Sequence, residues 1–133
     1  MKKIEHIGIA VENMEQSNRL FAKIFGKVPY QSEAVAAEGV LTSFFQIGGN
    51  KIELVAATNS DSPIAKYLDK NREGMHHIAF AVTDINQEMK RLKNEGIRLL
   101  NDIPKQGADN KLICFLHPKD TNGVLIELCQ EIE

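Results

Sequence analysis

The sequence predicts an α+β fold made of two paired β-α-β-β-β modules. Three observations predict it: an internal repeat, helix-start signals at equivalent points of that repeat, and matching closing strands. The stretch "IEHIGIAVENMEQ" (4–16) aligns with "MHHIAFAVTDINQ" (75–87) at a shift of 71 residues. His6 falls on His77, Ile7 on Ile78, Ala10 on Ala81 and Val11 on Val82. Self-similarity on this scale marks a repeated supersecondary unit.

Each unit opens with a strand. Ile7, Ile9 and Val11 alternate with His6, Gly8 and Ala10, and Ile78, Phe80 and Val82 alternate with His77, Ala79 and Ala81. A period of two gives a bulky face that should pack under a helix, and a second face whose small residues leave space beside the histidine. Next come Asn13 with Gln16, and Asp84 with Gln87, the spacing of a helix-start capping signal. The first helix should stop at Gly26. The second carries Ile85, Met89 and Leu92 at helical spacing and should stop at Gly96. Strand-like runs follow at 41–48 and 111–117, each ending in turn residues. The closing runs "NKIELVA" (50–56) and "GVLIELC" (123–129) place Glu53 opposite Glu127. Between the units, Ser62 and Pro63 have the chemistry of a helix N-cap and first helical residue. Module one is therefore residues 1–57, a connector helix lies within 58–73, and module two is 74–133, the whole reading as a single domain. Either module alone buries little surface, which is why the two should pair.

Composition narrows the function. The chain has 133 residues, 43% hydrophobic and 26% charged, with a formal net charge of −2. That is a folded protein without a general basic field for nucleic acid. No apolar run reaches the ~20 residues that span a bilayer. The N-terminus meets Glu5, His6 and Glu12 before any sustained apolar stretch and reads as a strand, not a signal peptide. Cys114 and Cys129 sit in strand-like runs and read as reduced, buried thiols of a cytoplasmic protein. Gly48-Gly49 is a turn, since no strand-to-helix phosphate loop surrounds it.

The repeat isolates four polar residues in apolar strands: His6, Glu53, His77 and Glu127. One such residue would read as a strand-end cap or the partner of a lysine. Four at repeat-related positions point to one shared site, because a glutamate is seldom buried without compensation. Two imidazoles and two carboxylates suit one divalent cation, with zinc, cobalt, nickel, manganese or iron all competent. His76, next to His77, should face away and pack on a helix. His117 in "LHPK" should order its loop.

The strands H-I-G-I-A-V and H-H-I-A-F-A-V, with the I-E-L closing motifs, make the chain resemble the vicinal-oxygen-chelate superfamily over nearly its whole length. The resemblance implies a U-shaped, incompletely closed eight-stranded sheet around a metal site. "DSPIAKYLDKNREGMHHIAF" (61–80), "DIPKQGADNK" (102–111) and "FLHPKDTNGVLIELCQ" (115–130) are similar, more narrowly, to the methylmalonyl-CoA epimerases. Carried over by position, His6, His77 and Glu127 are metal ligands. Glu53 stands where many epimerases have Gln, which gives the His/Glu/His/Glu set also seen in glyoxalase I. Thr42 stands where some epimerases have a carboxylate and cannot serve as a base. The implied activity is inversion of C2 of methylmalonyl-CoA through an enolate, with Glu127 as first acid/base group and Glu53 as second. Glu38 and Gln46 are weaker candidates for the site wall; Lys105 and Lys119 are either contacts for CoA phosphates or solvated lysines. The implied partners are an acyl-CoA substrate and a second copy of the chain in a cytoplasmic homodimer, with no nucleic acid and no membrane. Two rivals share the cup: glyoxalase I, which would need cations for glutathione carboxylates, and a non-enzymatic binding or resistance protein, which would not need metal ligands.

Overall fold

A computed structural model describes residues 1–133. The strands are β1 (Lys3–Ala10), β2 (Gln31–Val35), β3 (Val40–Ile47), β4 (Asn50–Ala57), β5 (Gly74–Ala81), β6 (Lys105–Gln106), β7 (Lys111–Phe115) and β8 (Ile126–Glu131). The helices are α1 (Met14–Phe25), α2 (Pro63–Lys70) and α3 (Ile85–Asn94). Each module is thus β-α-β-β-β, as the repeat predicts. The hydrogen-bonded strand order is β2-β3-β4-β1-β5-β8-β7-β6. Read outward from β1 or from β5, it is the same sequence of module strands, so the repeat in sequence is a repeat in connectivity.

By compactness the chain divides at its two histidine strands. One unit holds Met1–His6 with His77–Glu133, the other Ile7–His76. In the first, the start of β1 is tied to the end of β5 by Lys2 N–H donating to Ala81 O at 2.8 Å. Strand β5 runs parallel to β8, aligning Ala79 with Glu127, and β7 runs antiparallel to β8, aligning Phe115 with Glu127. Helix α3 starts at Asp84, whose carboxylate accepts from Gln87 N–H at 3.1 Å. It buries Ile85, Met89 and Leu92, the predicted stripe, against Val82, Cys114 and Leu128. Both cysteines are buried, and neither forms a disulfide.

In the second unit, Asn13 caps α1 by accepting from Gln16 N–H at 2.9 Å. Gly26 ends it with φ of 69°, a left-handed conformation that favours glycine. Phe21 and Phe25 of α1 pack on Val11, Phe45 and Leu54, so the bulky face of β1 does lie under its helix. The other face departs from expectation. Ala10 is fully buried in a cluster with Val40, Val55 and Ile64. Its small side chain makes room for α2, not for an open cavity. Ser62 fixes that helix, its hydroxyl accepting from Ile64 N–H at 3.1 Å.

The closing strand starts later than the sequence pattern implies, and one short strand has no counterpart in that pattern. Strand β8 begins at Ile126 because Asn122 (φ 56°) and Gly123 (φ 83°) turn the chain through left-handed backbone first. Strand β6 is two residues long, with Leu99 bridging to Leu116 beside it. No helix is long and apolar enough to cross a membrane.

Candidate metal centre

The site is assembled from three neighbouring strands of the first unit. His6 is the last residue of β1 in that unit, His77 lies on β5, and Glu127 lies on β8 between Ala79 and Phe115 of the flanking strands. Residues two apart on a strand share a face. His77 and Ala79 therefore share one side of β5, and Glu127 and Cys129 share one side of β8. Ala79, Ile113 and Cys129 form a small buried cluster with Phe115 against it. The Phe115 ring meets the His77 ring edge-on, centroids 6.0 Å apart. Small and apolar side chains thus border the polar group.

His6 Nε2 and His77 Nε2 lie 3.2 Å apart. Glu127 Oε1 is 3.4 Å from His77 Nε2 and 3.8 Å from His6 Nε2. The imidazole planes cross at 88°. All three side chains are buried, with one donor atom from each within 4.8 Å of the others. These separations fit a cation. With ligand bonds of about 2.0–2.2 Å, the edges of a tetrahedron of donors are roughly 3.3–3.6 Å. Two imidazole nitrogens and one carboxylate oxygen also form a donor set that divalent transition metals accept. The group is competent to hold a divalent ion.

Comparison with known proteins identifies the family. The sequence profile of the Glyoxalase/Bleomycin resistance protein/Dioxygenase superfamily matches residues 5–115. The chain belongs to this superfamily. Within it, the chain is 40% identical over 129 residues to the mitochondrial methylmalonyl-CoA epimerase of Homo sapiens, covering 96% of this chain and 73% of that one. It is 38% identical over 130 residues to the ethylmalonyl-CoA/methylmalonyl-CoA epimerase of Cereibacter sphaeroides, covering 96% and 97%. Among solved structures, a Streptomyces coelicolor methylmalonyl-CoA epimerase in complex with 2-nitronate-propionyl-CoA superposes with a TM-score of 0.95 at 34% identity, covering 98% and 95%. The α+β fold of superfamily members is therefore shared over nearly the full chain.

The remaining predicted residues fall as follows. Glu53 is buried on β4 of the second unit, aligned with Phe44 of β3. Thr42 is buried, and its hydroxyl donates to Glu33 O at 3.1 Å, a structural hydrogen bond. Gln46 lies near the end of β3. Its amide donates to Gly48 O and Asn50 O and so braces the β3–β4 turn. Glu38 is half-buried in a single 3-10 turn. His76 stacks edge-on against Tyr67 of α2, centroids 4.8 Å apart, as its predicted outward face requires. His117 caps the turn Pro118–Asp120, Nδ1 accepting from Lys119 N–H at 3.2 Å. Lys105 and Lys119 are exposed.

One buried carboxylate is missing from the predicted site residues. Glu5 is 4% exposed, and its Oε1 lies 3.6 Å from His6 Nδ1. The repeat passes over it because the partner of Glu5 at a shift of 71 is His76, a residue of different chemistry. The available signal was a glutamate in an apolar strand directly beside a ligand histidine.

Proposed function

We propose that the protein is a metal-dependent epimerase that inverts C2 of methylmalonyl-CoA. The observation that carries this reading is the buried convergence of His6, His77 and Glu127. It occurs in a chain whose relatives include epimerases named for that substrate. His6, His77 and Glu127 would hold the ion. Glu53 is the proposed fourth ligand on the strength of the internal repeat. Zinc, cobalt, nickel, manganese and iron(II) are the ions this donor set suits. When bound, the ion supplies Lewis-acid stabilisation of the negative charge that develops on the thioester oxygen.

The chain's own residues supply the proton chemistry. Inversion needs one group to take the C2 proton and another to return a proton on the opposite side. Glu127 is assigned the first role and Glu53 the second, the two being repeat-related carboxylates in otherwise apolar strands. Glu127 would serve both as a ligand and as the acid/base group, and a carboxylate shared with a cation would be a weaker base than a free one. The apolar flanks of Glu127, Ala79 and Phe115, keep competing water from the carbanion-like carbon.

The test is incubation of zinc- or cobalt-loaded protein with (2R)- or (2S)-methylmalonyl-CoA in deuterated water. Conversion of each epimer to the other with deuterium at C2 is expected. Ethylmalonyl-CoA in a parallel arm reads tolerance at the alkyl group. No exchange on either acyl-CoA, with turnover of a glutathione hemithioacetal, would replace this reading with glyoxalase chemistry. Assembly as a homodimer in the cytoplasm belongs to the same proposal. Light scattering after gel filtration reads the first part and cell fractionation the second.

A further inference from the structure

We infer that Glu5 is a positioning residue that holds the His6 imidazole with its proton on Nδ1 and its Nε2 lone pair turned toward His77 and Glu127. The inference rests on the metal reading above. A neutral imidazole carries one N–H, and only the other nitrogen can donate to a cation. Which nitrogen holds the proton is set by the hydrogen bond that it makes. His6 Nε2 faces His77 Nε2 at 3.2 Å and Glu127 Oε1 at 3.8 Å, so for Nε2 to serve as the donor to a cation the proton must sit on Nδ1, across the ring. There it meets Glu5 Oε1 at 3.6 Å, a small side-chain adjustment from a hydrogen bond.

Both side chains are nearly inaccessible, 6% for His6 and 4% for Glu5. A hydrogen bond at such depth is worth more than one in water. Strand alternation starts the two side chains toward opposite faces, and the three rotatable bonds of the glutamate bring its carboxylate back to the ring. A carboxylate behind a ligand imidazole fixes ring orientation and raises the basicity of the ligating nitrogen. Glu5 touches neither substrate nor ion in this arrangement and acts through His6.

Two measurements test this. Long-range proton–nitrogen NMR of the metal-free, nitrogen-15-labelled protein should show His6 as the Nδ1–H tautomer, and Glu5→Ala should move it toward Nε2–H. Chelator competition with zinc should show Glu5→Ala binding about 10- to 100-fold more weakly, with Glu5→Gln, which keeps an acceptor oxygen, recovering part of the loss. A merely structural Glu5 would change thermal stability and leave the tautomer where it was. Wild-type His6 found as Nε2–H, or unchanged zinc affinity in both variants, would overturn the assignment. A wild-type protein that binds no divalent ion overturns the proposed function instead, and the tautomer alone then decides Glu5. The conservative Glu5→Gln variant carries the test if Glu5→Ala does not fold.

Discussion

At the scale of single residues, the histidine pair in "GMHHIAF" shows what a repeat adds to a motif. His77 turns to the ligand cluster, and His76 turns to Tyr67. Strand alternation says only that the two must part; the match of His77 with His6 says which goes where. The same filter hid Glu5, because its repeat partner is not acidic. Glu127 carries the first prediction. Acid–base groups contribute about 10²–10⁴-fold to such reactions. Glu127→Gln should therefore lower kcat for C2 deuterium exchange by that order at saturating metal, with ion content checked by elemental analysis. Exchange at the wild-type rate in the loaded variant would remove Glu127 from the mechanism. A second prediction concerns the loop after β7. The Arg98 guanidinium and backbone N–H hold the Asp120 carboxylate down to about 2 from an ordinary 3.8. A lowered folded-state value adds stability above the unfolded value and loses it as pH falls. Denaturation midpoints should thus decline between about pH 4 and pH 2 more steeply for wild type than for Asp120→Asn. Arg98 is exposed and Asp120 half-buried, so solvent screens the pair, and the difference should be small and should shrink in salt.

At the scale of elements, the strands and helices that bound the site were legible because each has a local cause. Asn13, Ser62 and Asp84 mark three helix starts, and all three accept the expected backbone N–H groups. Gly26 marks a stop through its left-handed backbone. What sequence could not supply was the side of β1 on which α2 would settle. Ala10 reads as space for a ligand when only the strand is considered; it is space for Ile64. A small residue opens a gap without saying what fills it. The limits of β6 and β8 were equally hidden, since both depend on left-handed turns and bridges set by the packed fold, not by the pattern of two. The caps give a prediction at this scale. Asn13→Ala and Asp84→Ala should each cost about 1 kcal/mol in urea unfolding, because each leaves a first-turn N–H without its side-chain acceptor. The two losses should be similar, as the repeat makes the caps equivalent. A loss below about 0.3 kcal/mol for either would mean that water replaces the cap at no net cost.

At the scale of the whole molecule, the site and the stability of the protein are linked through the ion. His6 and His77 come from strands whose neighbours in sequence, Ile7 and His76, belong to the other compact unit. The ligands are thus drawn from residues 6, 77 and 127, far apart in the chain but adjacent through β1, β5 and β8. Without a cation, two buried imidazoles and a carboxylate crowd their polar atoms together; with one, they share a single partner. An ion that binds the folded chain and not the unfolded one stabilises it by RT ln(1 + [L]/Kd), about 2.7 kcal/mol at a hundredfold excess over Kd. Titrating zinc or cobalt into chelator-treated protein should therefore raise the thermal midpoint steadily, and excess chelator should return it. Replacing His6 or His77 with Ala should abolish the rise, since each removes one of three donors. Glu53→Gln decides the fourth: a reduced rise assigns it to the ion, and an undiminished one leaves it as a buried carboxylate of β4 whose repeat relation to Glu127 is one of fold alone. Hydrogen exchange on the same samples should localise the added protection to β1, β5 and β8, where the three donors stand. Protection gained elsewhere and not there would mean that the ion stabilises the protein from another site.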